Sequence, residues 1–308
     1  EHLVFGDYPN KLGFLRSLRA QLMGGEPRLV LLWFLAPAYV LETIALARLH
    51  RCPVVVVVGG LEVDYVPELR LGGLKWPHNR LRQQFGLKEA DLVLSSSAFL
   101  TERILRLATP RRLEMVHHGI DTDHFSPAGP KESLALTVCF EINRETAVLK
   151  GLPIVVEAAR ALPHVRFVVV GRSRGDDALA TLRAGAPANV SFTDRFVSDA
   201  ELLELYRQAS VYLQLSAHEA FGVAVAESMA CGCIPVVSTG HALDEIAGPT
   251  ARRVPYGDAI AAAAAVADAL GSDAAARDAT RRHIVSSYPI ARRIERLAEL
   301  LSGLVPAG

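Results

Sequence analysis

Two carboxylates stand eight positions apart in the stretch Ser216-Ala-His-Glu-Ala-Phe-Gly-Val-Ala-Val-Ala-Glu-Ser-Met-Ala-Cys-Gly232: Glu219 and Glu227, with Gly222 between them. A carboxylate accepts two hydrogen bonds side by side, so each suits a vicinal diol. Gly222 falls where a loop turns into a helix, and without a side chain there the first free amides stay open to a ligand. Those amides carry the positive end of the helix dipole and suit an anion. Hydroxyls held beside a phosphate are the chemistry this spacing fits.

Such a loop must be positioned by its flanks. The apolar runs 211–215 and 234–237 read as buried strands, and Gly232 suits the left-handed position just past a helix end. Strand, loop, helix, strand is the unit of a parallel sheet. The same alternation runs along the whole chain. Residues 2–5 read as a strand, 6–13 as a turn-rich loop, 14–23 as a helix, 28–35 as a strand and 38–49 as a helix. Residues 54–58 are five valines in a row followed by Gly59-Gly60, a strand buried on both faces that ends where a ligand can approach the backbone. Residues 91–94 repeat that pattern before Ser95-Ser96-Ser97. Ala128-Gly129-Pro130 reads as a linker. A second series then follows: strand 136–140, a long loop 141–151, helix 153–162, strand 165–170 ending in Gly171, and a capping box at Ser198 and Glu201. The expected fold is α/β, with two Rossmann-like parallel-sheet domains at 1–130 and 131–287, ligands at the strands' carboxyl ends, and a helical end after Tyr288-Pro289. No Gly-x-Gly-x-x-Gly and no Walker loop occurs, which argues against an ordinary dinucleotide enzyme or a phosphate-loop kinase.

Bulk properties narrow the classes further. Lys plus Arg is 33 and Asp plus Glu is 33, so no global charge calls for nucleic acid. No uninterrupted apolar run reaches the length of a membrane span. Cys52, Cys139, Cys231 and Cys233 form no disulfide framework and no zinc spacing, which predicts buried, reduced thiols, a cytoplasmic setting and no metal site. Arg111-Arg112, and Arg16 with Arg19 beside a leucine stripe, read first as a solvated face next to a core stripe, with peripheral contact to the inner face of a membrane as the alternative. The abrupt start at Glu1 suggests that something upstream is missing or replaced.

The chain resembles the retaining glycosyltransferases of the GT-B fold, family four. The core of the likeness is the Glu-x7-Glu signature from Glu219 to Glu227. Weaker matches surround it in order: His118-Gly-Ile-Asp-Thr-Asp-His-Phe-Ser-Pro127, Lys150-Gly151, 168–171, and Pro235-Val-Val-Ser-Thr-Gly240 followed by Glu245. The resemblance implies two domains facing across a cleft, with a shortened first domain and a final helix, 288–308, packing back on it.

It also implies roles. Glu219 would bind the donor sugar, the amides from Phe221, Gly222 and Val223 the sugar or phosphates, and Glu227 the ribose diol. Lys150 and Arg144 would neutralise the departing diphosphate, where fixed cations lower the barrier. Gly171 and Arg172 would end the strand lining the base pocket, and Gly59, Gly60 and Glu62 would face the acceptor side. The family's cleft histidine has no match after its usual strands; His78, His117, His118 and His241 are candidates by position. The implied activity is retaining, metal-independent transfer from a nucleoside-diphosphate sugar, a UDP- or GDP-sugar first of all, with no cofactor. The acceptor is a lipid, a glycan or a small molecule. Retention without an obvious nucleophile suggests front-face attack, so Glu219 is a binding residue and not a covalent nucleophile. Two alternatives share the fold: a catalytically degenerate nucleotide-sugar-binding protein and a nucleotide-sugar epimerase.

Overall fold

The structure, a computed structural model, describes residues 11–24, 29–35 and 38–304. The strand expected at 2–5 and most of the loop expected at 6–13 lie outside them. The chain divides into two compact units, Glu1–His117 with Ile294–Gly308, and His118–Arg293.

In the first unit, α1 (Lys11–Met23), β1 (Val30–Trp33), α2 (Val40–Leu49), β2 (Val54–Val57), α3 (Pro77–Glu89), β3 (Leu92–Ser95), α4 (Ala98–Leu107) and β4 (Leu113–Met115) alternate. Their strands form a four-stranded parallel sheet in the order β1-β2-β3-β4. All four valines of β2 are buried, as a strand flanked on both faces requires. Helix α3 has no counterpart in the sequence reading. It starts at Pro77, whose fixed φ suits a first helical turn, and buries only a narrow face of Gln83, Gly86 and Leu87. Gln83 Nε2 donates to the Leu35 carbonyl at 2.7 Å, so even that face is partly polar.

In the second unit, β5 (Glu132–Ile142), α5 (Arg144–Leu149), α6 (Leu152–Arg160), β6 (Arg166–Ser173), α7 (Ala178–Gly185), β7 (Val190–Phe192), α8 (Asp199–Gln208), β8 (Ala209–Gln214), α9 (Val223–Ala230), β9 (Ile234–Ser238), α10 (Leu243–Ile246), β10 (Arg252–Val254), α11 (Ala259–Leu270) and α12 (Ala274–Ser287) follow. The sheet is six-stranded and parallel, in the order β10-β9-β8-β5-β6-β7. Both sheets bear out the expected α/β architecture. After β5 the chain lays β6 and β7 on one side and returns to place β8 on the other. That reversal between β5 and β8 is a topological switch point, and open α/β sheets bind ligands at the carboxyl ends of the strands there.

Two boundaries differ from the sequence reading. The second unit begins at His118 rather than after Pro130, because 118–127 is tied into its core. Arg281 donates to the carbonyls of Thr122 and Phe125 at 3.0 and 2.9 Å, and the Phe125 ring lies 6.1 Å from that of Tyr206. Residues 144–149, read as part of a long loop, form α5. Asn143 caps it by accepting from the Thr146 amide at 2.9 Å, while Thr146 Oγ1 accepts from the Asn143 amide at 2.9 Å.

The chain breaks at Tyr288-Pro289 before α13 (Ile290–Ser302). There the Ile120 amide donates to the Tyr288 carbonyl at 2.8 Å and the Ile290 amide to the Ile120 carbonyl at 3.0 Å. Further on, Leu297, Leu300, Leu301 and Leu304 pack with Val55, Val57, Leu92, Leu94 and Val116 of the first sheet. No single described helix is long and apolar enough to cross a membrane. Helices α11 and α12 pass such a test only as a pair bent by 106°, and their apolar residues Ala262, Val266, Ala269 and Ile284 are buried in the second unit.

Candidate active site

The loops after β5 and β8 meet at the switch point. The Ala217 amide donates to the Leu149 carbonyl at 2.8 Å, joining the end of α5 to the segment that carries Glu219. Gly151, at φ +70°, lies so close to the Leu215 carbonyl that any Cβ would collide with it. This contact brings Lys150 Nζ to 2.5 Å from Glu219 Oε1. Glu219 Oε1 also accepts from Gln214 Nε2 at 2.8 Å and Ser216 Oγ at 2.9 Å.

Glu219 is 9% exposed. Burial opposes its charge, but the Lys150 ammonium and the hydrogen bonds from Lys150 and Ser216 outweigh that and hold its pKa below the usual carboxylate range. Burial likewise opposes the charge on Lys150, and Glu219 overcomes it, holding the amine above its ordinary value. Both groups are therefore charged at neutral pH. An ammonium has three hydrogens and Lys150 keeps 31% of its side chain exposed, so it can serve a second anion beside Glu219.

Eight residues after Glu219, Glu227 lies on α9. That helix starts at Gly222, at φ +95°, where a Cβ would collide with Leu243. Phe221 is buried, with its ring 5.1 Å from His118 and 5.5 Å from Tyr288, whereas Val223 is exposed. The first turn of α9 thus begins three residues after Glu219, on a left-handed turn that favours glycine. Glu227 is half-buried and accepts from Tyr206 Oη at 3.1 Å. Its environment is the reverse of that around Glu219. Burial pushes its pKa up to about 7, the Tyr206 hydroxyl offsetting this only in part and Asp199 adding to it.

Other expected site residues are placed elsewhere in the fold. Arg144 heads α5, is largely exposed and pairs with Asp177 at 2.8 Å, so the structure does not bring it to Glu219 as it does Lys150. The Gly171 amide donates to Thr193 Oγ1 at 2.9 Å, Arg172 pairs with Glu141 at 3.1 Å, and Arg174 is bonded to the same carboxylate. His118 belongs to the second unit, against Phe221. In the first unit, Glu62 folds back so that its two oxygens accept the amides of Gly59 and Gly60 at 2.5 and 2.7 Å. Among the positional histidines, His241 is buried beside the Glu219 loop, its Nε2 lying 3.0 Å from the Ser216 carbonyl and 3.1 Å from Ser238 Oγ.

Tyr206, Gln214 and Ser216 were not anticipated. A signal was present for two of them: Gln214 is a polar residue at the end of an apolar strand and Ser216 follows two positions on, an alternation that puts both on one side of an extended chain. Among the described residues no group of three or more His, Cys, Asp or Glu could hold a metal ion.

Comparison with known proteins bears on the family and the fold. Residues 1–124 match the family model Glycosyltransferase Family 4, and residues 141–272 match the model Glycosyl transferases group 1. D-inositol 3-phosphate glycosyltransferase of Mycobacterium sp. (strain KMS) is 31% identical over 181 residues, which cover 53% of this chain and 40% of the relative. The match thus spans well under two thirds of that protein. Among solved structures, Anabaena HepE in complex with UDP-glucose superposes with TM-score 0.79 at 17% identity, covering 98% of this chain and 85% of that one. Sucrose-phosphate synthase from Thermosynechococcus elongatus gives TM-score 0.77 at 19% identity, covering 98% and 81%. At such identities the superpositions speak for the fold.

Proposed function

We propose that this chain, which belongs to the family-four (group 1) glycosyltransferases of GT-B fold, moves a sugar from a nucleoside-diphosphate donor to an acceptor hydroxyl with retention at the anomeric carbon. The observation that carries this reading is the Lys150–Glu219 contact at 2.5 Å, on the loop that leads from β8 into the glycine-started helix α9. Glu219 accepts hydroxyls of the donor sugar. The amides at the start of α9 and the remaining hydrogens of Lys150 meet the diphosphate, and the ionised form of Glu227 takes the ribose diol. The bond from the anomeric carbon to the phosphate oxygen breaks, and negative charge gathers on that oxygen. Lys150 is already charged and fixed there, so little reorganisation is needed as the charge develops. The acceptor oxygen bonds to the same face of the anomeric carbon and gives its proton to the departing phosphate. No resident cofactor or metal is required. HepE, solved with UDP-glucose, supports a UDP-sugar as the first donor to try.

The test is transfer or hydrolysis of nucleotide sugars followed by nuclear magnetic resonance, with Lys150→Ala and Glu219→Ala as controls. Each substitution should depress turnover by about two orders of magnitude or more. Turnover close to wild type in both variants would sink the assignment. Retention is read from the anomeric coupling constant of the product.

A further inference from the structure

Glu219 is held asymmetrically. Three donors converge on Oε1, from Lys150 Nζ, Gln214 Nε2 and Ser216 Oγ, and none of the described residues donates to Oε2. The proton positions in this cluster follow from elementary chemistry. An ionised carboxylate can only accept, so the amide nitrogen of Gln214 must face Glu219. That nitrogen has two hydrogens; one goes to Glu219, and the other to Ser216 Oγ at 2.7 Å. Ser216 Oγ then has its own hydrogen free to give to Glu219 at 2.9 Å. With its nitrogen so placed, the Gln214 oxygen faces Tyr212 Oη at 3.1 Å, and the phenol must donate. The phenol keeps its proton, since burial pushes its pKa far up. Every polar atom in the run Tyr212, Gln214, Ser216 is satisfied in one direction only, and all three residues are buried. The segment is fixed from behind as well: the Ser216 carbonyl accepts from Ser238 Oγ at 2.5 Å, with His241 Nε2 at 3.0 Å.

We propose that Gln214 is a positioning residue that, with Ser216, occupies Oε1 of Glu219 and so presents Oε2 alone to the donor sugar. This rests on the reading of Glu219 as the sugar-binding carboxylate. A carboxylate free to turn offers either oxygen and a spread of angles. One pinned through a single oxygen by three donors offers one acceptor in one direction, which is what an oriented sugar hydroxyl needs. Lys150 alone does not supply this, because its ammonium is also committed to the leaving phosphate. The neutral amide and hydroxyl hold the carboxylate whether or not phosphate is bound.

The test uses the full chain with Gln214→Met, which keeps the side-chain length and removes both donors. Tyr212→Phe is made alongside so that no buried hydroxyl loses its acceptor. UDP-glucose and GDP-mannose are the donor probes, and UDP and GDP the sugarless controls. Melting curves for each variant show whether it is folded. The expected result is a fall of about 10- to 100-fold in kcat, loss of most of the affinity gained by adding the sugar to the diphosphate, and affinity for UDP or GDP within about twofold of wild type. A role confined to holding the fold would weaken sugar and sugarless ligands alike, and that outcome overturns the proposal. So does an unchanged kcat in the double variant. If Glu219→Ala loses the sugar's contribution while Gln214→Met keeps it, this inference fails and the functional reading stands. If no probe binds the wild-type chain, the functional reading fails and takes this inference with it.

Discussion

The hydroxyl of Tyr206 donates to Glu227 Oε2 at 3.1 Å, and this one bond does not compensate for the desolvation of that carboxyl, whose pKa is pushed up to about 7. The folded chain therefore holds a proton on Glu227 at pH values where the unfolded chain has lost it. Between about pH 4.5 and 7 the native state binds more protons, so stability from this group falls as pH rises, and above pH 7 the full cost remains. Glu227→Gln should raise stability by about 1–3 kcal/mol at pH 8 and leave it nearly unchanged at pH 5. Paired melting curves at the two pH values check this; an equal difference at both removes the explanation.

The same group predicts the pH dependence of nucleotide binding. An ionised Glu227 accepts both ribose hydroxyls, whereas its neutral form has lost one acceptor site. Affinity for the nucleoside diphosphate should strengthen severalfold from pH 6 to pH 8 in the wild type. In Glu227→Gln it should be weak and flat over that range. Titration calorimetry at three pH values decides between the two.

Lys150→Met leaves the buried Glu219 charge with two neutral donors. Glu219 has its pKa lowered in the folded state, so its contribution is present above about pH 4.5 and is lost as pH falls through the folded value. Lys150 has its pKa raised, so its share persists below about pH 10.5 and is lost only as pH rises beyond that. The variant should be destabilised by about 1–3 kcal/mol near neutrality. The gap should narrow at acid pH, as Glu219 takes up a proton below the usual carboxylate range. A pH-independent gap would mean that lost packing, and not lost charge, is responsible.

Two glycines with left-handed backbone separate strain from collision. Gly175, at φ +82°, has nothing within 4 Å of where a Cβ would sit, so Gly175→Ala costs only the backbone term, about 1 kcal/mol. Gly151→Ala adds a collision with the Leu215 carbonyl and should cost at least about 3 kcal/mol, together with donor affinity, because Lys150 is the preceding residue. Urea melts of the two variants give the comparison; similar midpoints would contradict it.

Arg144 offers a contrast with Lys150. Its side chain is 74% exposed and its guanidinium is bonded to Asp177, so Arg144→Ala should lower turnover far less than Lys150→Ala, by under about threefold. A loss as large as that of Lys150→Ala would show that the arginine leaves Asp177 for the donor.

What could be read from the sequence follows a physical divide. The strands around α9 were legible because a parallel sheet buries both faces, and runs such as Val54–Val57 have no other home. The left-handed Gly232, the capping box at Ser198 and the loop holding Glu219 were legible for a related reason, since each depends on residues adjacent in the chain. Helix α5 was not, because its six residues are too few to display a period; only Asn143 and Thr146 announced it. Helix α3 was hidden by its polar surface. The partners of a charge are set by the fold, and nothing near Arg144 in the chain reveals that Asp177 arrives beside it. Gln214 reads as a blemish in an apolar strand until Glu219 is seen folding back over it.

The pairing of Ile120 with Tyr288 and Ile290 has a topological consequence. Chain entry into the second unit and chain exit from it run side by side, laced by two backbone hydrogen bonds. In chain order, residues 118–293 are thus an insertion between 1–117 and 294–308, which make up the other unit. An excised piece cut beside that pairing would have its ends already adjacent, and could be closed into a ring by a short linker or reopened at any exposed loop while keeping the sheet that carries Lys150 and Glu219.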